Sequence, residues 1–342
     1  SAGYPFQVLQ TSNSGEQFEL PAGDEPRTEV NAWVTEAKAR ELVAFAGKDL
    51  GKLVESARSR DFRPVSLGVR TSLAYTAKVA RKSTANVAGL LRGSDPALSS
   101  QVVVYTAHHD HLGTGEPDAK GDRIYNGAID NASGTGALLT IARACASLPE
   151  RPRRSIMIAA VGAEEQGLLG SLFMAENPPI PAGNMAAVIN IDGLNIIGPT
   201  HDVNVIGLGK SSMDSLVEGI ARWQKRVVAP DAFPDRGYYY RSDQFSLAKV
   251  GVPGVYLHSG VNVVGKPDGW GKEQLELWTK TKYHQPSDEY SDDWDLRGAV
   301  QDVRLLFYVG LQAARQDELP KWNAGDEFEA ARKTALETLK KQ

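Results

Sequence analysis

Val102-Val103-Val104-Tyr105-Thr106-Ala107-His108-His109-Asp110-His111-Leu112-Gly113 decides the fold, with a later stretch of the same form, Ile156-Met157-Ile158-Ala159-Ala160-Val161-Gly162-Ala163-Glu164-Glu165. Each opens with an unbroken apolar run of strand length, as expected of a strand buried on both faces. Each then passes directly into residues that ligate metals. Between them lies Asn126-Gly127-Ala128-Ile129-Asp130-Asn131-Ala132-Ser133-Gly134. Open α/β sheets carry their active sites at the C-terminal ends of their strands, which is where these ligand-type residues fall.

Working outward, strands alternate with helices. Asn86–Leu91 reads as a strand, followed by a turn at Gly93–Pro96. Met185–Ile191 forms an apolar run ending at Asp192, Val203–Ile206 a further strand, and Gly254–Leu257 another. Helical spacing marks 133–147, 165–176, 212–226, 242–249, 296–315 and 328–340. This alternation predicts an α/β fold in three layers, a mixed, mostly parallel central sheet covered by helices on both faces. Residues 86–342 form that catalytic domain. Residues 1–85 differ in texture: a helix is predicted over 36–58, short strands at 65–69 and 72–76, and no motif carrying chemistry. They are read as an accessory region.

The chain has 342 residues with 42% hydrophobic and 23% charged, an ordinary globular balance. A net charge of -4 without a basic block gives no footprint for a nucleic-acid partner. No apolar stretch approaches the ~20 residues of a membrane span. Cys145 is the single cysteine, which excludes an internal disulfide, and its apolar neighbours predict a buried structural thiol. The chain opens Ser1-Ala2-Gly3 without methionine, so a trimmed start and a periplasmic or secreted protein are expected. Nothing in the sequence sets an oligomeric state.

His108, Asp130, Glu165, Asp192 and His284 are the candidate ligands. Two imidazoles and three carboxylates suit divalent zinc, shared between two ions through an oxygen-rich set. Acids at the ends of apolar strands are costly unless paired or metal-bound. Asp130 can bridge, with His108 and Asp192 completing one site and Glu165 and His284 the other, or the reverse. Glu164, adjacent to Glu165, points differently and is placed as the general base, taking a proton from water and returning it to the leaving amine. Asp110 is placed to orient a ligand imidazole. Side-chain alternation along a strand turns His109 and His111 away from the metal.

The stretches 107–110, 129–134, 163–171, 190–192 and 283–288, in that order, resemble the co-catalytic di-zinc exopeptidases, the group of aminopeptidase S, aminopeptidase Y and glutamate carboxypeptidase II. The resemblance covers about residues 86–315. It implies the zinc-dependent exopeptidase fold, two Zn2+ per chain, peptide substrates, a bridging Asp130, Glu164 as general base, a cis peptide after Asp130, and Tyr283 donating to the developing oxyanion. Ser242-Asp243-Gln244-Phe245-Ser246-Leu247 is similar to the family's Ser-Asp-His-Xaa-Xaa-Phe, with Gln244 and Leu247 departing from it. Residues 1–85 resemble the tail of a protease-associated domain, or stand as a complete small accessory fold.

Four residues are offered as a substrate pocket: His258, Tyr240, Ser242 and Asp243. His258 reads equally as pocket wall and as satisfied core histidine. The function expected is release of N-terminal amino acids. The alternatives are a carboxypeptidase or dipeptidase of the same family, with Arg236 and Arg241 as carboxylate grips, or a single-zinc cyclising acyltransferase.

Overall fold

The computed structural model describes residues 5–13, 15–21, 28 and 30–341. It divides into two compact units, one of Pro21–Ser83 and one combining Ser1–Leu20 with Thr84–Gln342. The described residues up to Leu20 therefore group with the sheet, not with the accessory unit.

The accessory unit holds α2 (Glu36–Phe45) and α3 (Leu50–Ser56), preceded in the chain by α1 (Phe6–Ser12) of the main unit. The single helix expected over 36–58 is broken at Gly47, whose φ of 70° ends a helix. The chain restarts on Asp49, whose carboxylate accepts from the Lys52 amide at 3.0 Å. The strands expected at 65–69 and 72–76 are absent, and those residues run as irregular, mostly exposed chain. With no neighbouring strand to pair, the alternating pattern has no ladder to join.

The main unit is built on β1 (Val87–Leu91), β2 (Val102–His108), a small hairpin of β3 (Gly113–Thr114) and β4 (Ile124–Tyr125), β5 (Ser155–Val161), β6 (Met185–Asn190), β7 (Asp202–Val205), β8 (Val227–Pro230) and β9 (Gly254–His258). Seven of these form one sheet in the order β1-β5-β2-β6-β9-β7-β8. The four central strands β5, β2, β6 and β9 are mutually parallel, β1 and β7 run against their inner neighbours, and β8 runs with β7. The expected mixed, mostly parallel sheet is what forms.

The helices are α4 (Gly134–Ala146), α5 (Leu169–Glu176), α6 (Met213–Trp223), α7 (Gln244–Lys249), α8 (Trp270–Thr281), α9 (Arg297–Arg315) and α10 (Glu329–Leu339). Alternation along β2 feeds two cores. Val103, Tyr105 and Ala107 pack with Leu138 and Ile141 of α4 and with Leu305 and Val309 of α9. Val102 and Val104 pack on the opposite face with Met174 of α5 and Leu247 of α7. Cys145 lies in the first core, where burial pushes its thiol up to about 11. The segment 260–282, to which the sequence reading assigns no helix, contains α8, whose few large apolar residues are interleaved with charges.

Register carries the argument to the site. His108 pairs with Val161, and Thr106 with Asn190, which in turn pairs with Tyr256. The residues following β2, β5 and β6 therefore leave the sheet side by side along one edge. No helix among the described residues is long and apolar enough to cross a membrane.

Candidate metal centre

His108 ends β2 with its imidazole fully buried. Its Nδ1 lies 2.9 Å from the backbone oxygen of Asp110. A carbonyl only accepts, so Nδ1 carries a proton and Nε2 is the atom turned toward the acids. That Nε2 lies 3.2 Å from Asp130 Oδ1 and 3.2 Å from Asp192 Oδ1. Asp110 was expected to orient the imidazole through its carboxylate, and the backbone does this instead. The carboxylate accepts from the Ala163 amide at 2.5 Å, tying the end of β2 to the turn after β5. Ala163 sits there at φ 55° and aims Glu164 and Glu165.

His284, at φ 57°, is set the same way. Its Nδ1 is 2.6 Å from the Ser12 hydroxyl, which gives its one proton to the Val8 oxygen at 2.7 Å. The hydroxyl therefore accepts from Nδ1–H, leaving Nε2 turned toward the acids. His284 Nε2 lies 3.2 Å from Asp130 Oδ2 and 3.1 Å from Glu165 Oε2. Ser12 belongs to the stretch assigned no chemistry, and nothing local to its sequence points to this contact.

Asp130 thus stands between two histidines, one against each carboxylate oxygen. Its loop enters α4 through a cis Asp130–Asn131 peptide. The Asp288 carboxylate accepts from the amides of Ile129 and Asp130, while the Asn131 amide group donates to Ile191 and accepts from Gly134 and Gly193. The Asp192 carboxylate is held by the Ser242 hydroxyl at 2.6 Å. Ser242 in turn accepts from Asn190, which also donates to Gln244. Gln244 is buried and satisfied in the position where histidine was looked for.

Each Nε2 facing two carboxylate oxygens at 3.1–3.2 Å is a position for a positive charge, carried by a proton on the imidazole or by a cation between the groups. Burial would lower His284, but Glu165 and Asp130 outweigh it and lift the imidazole to about 10. Burial would likewise raise Asp130, yet His108 and His284 hold it well below the ordinary carboxylate range. Glu164 goes the other way: burial, followed by the repulsion of Glu165, Asp192 and Asp243 against the pull of His108, drives its carboxyl well up. His284 Nε2, Glu165 Oε1 and both ring nitrogens of His111 are buried without a hydrogen-bond partner. Ligand atoms of His108, Asp130 and Asp192 all lie within 4.8 Å of one another, as do those of His108, Glu164 and Glu165, and of His111, Asp130 and Glu165. This donor set fits divalent metal ions. His111 was expected to turn away. β2 ends at His108, so the alternation no longer governs Asp110 or His111. His109 does turn away, its Nε2 against the Ala85 oxygen.

A cleft of about 310 Å³ opens over these groups, lined by Asp130, Glu164, Glu165 and Asp192 and walled by α8 residues Leu275, Leu277 and Trp278. Tyr283 lines it with its ring tilted over His284 and accepts from Arg241 at 3.4 Å. His258 lines it too, its Nε2 2.8 Å from the Tyr256 hydroxyl, and burial lowers its pKa. The other three pocket residues are corrected. Tyr240 is half exposed and donates to Glu327. Ser242 and Asp243 are buried and do not line the cleft; Ser242 acts from behind it by donating to Asp192. Tyr238, from the same aromatic run, lines it instead.

A family model described as peptidase family M28 matches residues 86–308. A protein of Leptosphaeria maculans named "Probable zinc metalloprotease" is 37% identical over 107 residues, 31% of this chain and 23% of that protein. Aminopeptidase NAALADL1 of Rattus norvegicus is 35% identical over 99 residues, 28% of this chain and 11% of that one. Both matches span well under two thirds of the relative. The zinc aminopeptidase BSAP of Bacillus subtilis superposes with a TM-score of 0.50 at 21% identity, covering 71% of this chain and 53% of that chain, a likeness of fold. The family match spans most of the chain and takes in His108, Asp130, Glu164, Glu165, Asp192 and His284: the chain belongs to peptidase family M28.

Proposed function

We propose that the chain is a zinc aminopeptidase, holding two Zn2+ and releasing N-terminal residues from peptides. The observation carrying this reading is the placing of one carboxylate, Asp130, with its two oxygens against two different imidazoles. His108 and Asp192 would complete one site, and Glu165 and His284 the other. Zinc bound there would supply Lewis acidity, polarising the scissile carbonyl and making water a stronger acid.

The residues do the rest. Glu164, raised by burial and not held by an ion pair, takes a proton from the attacking water and delivers it to the leaving amine. Tyr283 stays protonated, its pKa driven up by burial, and donates to the oxygen on which charge develops. The acidic floor of the cleft attracts a substrate's terminal ammonium. Arg236 and Arg241 also line the cleft, which favours a carboxypeptidase as the second reading. Both already donate within the protein, Arg236 to Tyr238 and Thr279, Arg241 to the Arg236 oxygen and Tyr283.

Turnover of aminoacyl-nitroanilides, with and without chelator, tests the first reading; turnover indifferent to the chelator refutes the metal role. Glu164→Gln should keep zinc while slowing turnover about 100- to 10,000-fold, the range of a lost proton shuttle. End-group analysis of a digested peptide separates the two readings, since loss from the C-terminus alone selects the carboxypeptidase.

A further inference from the structure

We propose that His111 is a fourth protein ligand of the site formed by Asp130, Glu165 and His284, so that the two metal sites are unequal. The proposal rests on the two-metal reading above and adds a residue outside the five ligands of that reading.

Four observations converge on it. The His111 side chain is only 6% exposed, and neither ring nitrogen makes a hydrogen bond. A buried imidazole ordinarily satisfies at least one nitrogen, as His108 and His284 do. Next, His111 Nδ1 lies 2.7 Å from Glu165 Oε1, which brings its ring to the same carboxylate that His284 meets at 3.1 Å. Then, one ligand atom each from His111, Asp130 and Glu165 falls within 4.8 Å of the others, and the His111 ring meets the His284 ring edge to face at 5.5 Å. Finally, the loop carrying Asp130 makes room for this ring. A Cβ on Gly127 would overlap the Asp130 backbone oxygen first and then Cγ and Cβ of His111, and Gly127 sits at φ 61°, a conformation glycine adopts freely.

The consequence lies in ligand count. His108, Asp130 and Asp192 make three protein ligands, the number that leaves a position open for chemistry. With His111 the other site reaches four, the number of a closed, tightly held ion. The open position would then fall on the His108–Asp192 side, and the Glu165–His284 side would fill first and empty last.

The test uses the full chain, wild type and His111→Ala and His111→Gln variants, stripped of metal and reloaded. Zinc per chain is measured by mass spectrometry, two dissociation constants by competition with a chromogenic chelator, and ligand field by Co2+ absorption. Losing an outer partner of a ligand costs 10–100-fold in affinity. Losing the ligand itself should weaken one site by at least about 100-fold, with the other unchanged and the cobalt bands of the weakened site altered. Gln can donate to Glu165 but replaces the imidazole nitrogen poorly, so it should not rescue. Full rescue by Gln, or unchanged affinities and cobalt spectrum in the Ala variant, overturns the proposal. Should His111→Ala fail to fold, by circular dichroism of the apoprotein, His111→Gln alone decides by the same criterion. Wild type taking up fewer than two ions sinks the two-metal reading and this proposal with it; two ions with an indifferent His111 sinks this proposal alone.

Discussion

Replacing Asp288 asks how the loop that presents Asp130 is held. The Asp288 side chain is fully buried, and its two oxygens receive the Ile129 amide at 3.1 and 3.2 Å and the Asp130 amide at 3.1 Å. Asp288→Ala leaves both amides without that acceptor, each costing about 1–3 kcal/mol when buried. Part of this is offset, because burial already pushes the Asp288 carboxyl above its ordinary range and removing it relieves that penalty. The expected loss is about 3 kcal/mol, in the lower half of the summed range. Asp288→Asn keeps one oxygen, which at the Oδ2 position still receives both amides, but it turns an amide donor toward the Ile129 N–H. About 1–2 kcal/mol is expected, so stability should rank wild type, Asn, Ala. Urea unfolding of the chelated protein measures this. Zinc competition on the folded variants measures the second effect, a 10–100-fold loss of affinity as Asp130 drifts from its position. An Ala variant as stable as wild type would refute the energetic argument. A destabilised variant with unaltered zinc affinity would refute the claim that Asp288 positions Asp130.

Two further outcomes are expected. Burial lifts the Asp302 carboxyl from 3.8 to about 6, outweighing Arg226 at 2.7 Å. A folded-state pKa above the unfolded one contributes stability that is complete below pH ~4 and lost as pH rises through ~6. Asp302→Asn cannot titrate, so its stability relative to wild type should rise by about 3 kcal/mol between pH 4 and 7.5, about 2 pKa units at 1.36 kcal/mol each; parallel pH profiles of the two urea midpoints contradict this. Gly310→Ala in α9 places a Cβ on the Tyr105 hydroxyl, which donates to Leu306 and Phe307 of the same helix. Overpacking of this kind costs about 1–3 kcal/mol, and the lost bonds add to it; a wild-type thermal midpoint would show that α9 can shift freely against β2.

The sheet was legible because its central strands are buried on both faces, and such strands write themselves as mainly apolar runs: Val102–Ala107, Ile156–Val161 and Met185–Ile191 are all near-fully buried in the structure, with Thr106 and Asn190 the polar residues among them. What lies at the edges was not. β8 is a partly exposed strand of only four residues, and α8 carries just four large apolar residues, Trp270, Leu275, Leu277 and Trp278, spread among charges over a broad face. In the accessory unit the short apolar clusters of 65–69 and 72–76 predicted strands, but period alone cannot supply a partner strand.

The site divides along the same line. His108, Glu164 and Glu165 follow buried strands whose register brings their ends together, and Asp192 follows β6 by two residues, so topology alone predicts that these four meet. Asp130 and His284 enter from loops, where motif order rather than periodicity identified them. Asp110, expected to orient a ligand imidazole, does so for His108 with its carbonyl oxygen, an atom every residue has. What the sequence does not show is a contact distant along the chain. Ser12 reaches His284 across 272 positions. His111 lies just past the end of β2, where side-chain alternation ceases to hold. A strand period is a rule about a ladder, and it expires with the last rung. Ligands contributed by the strand itself are therefore the ones such a rule can find, whereas the proposed ligand His111 lies beyond its reach.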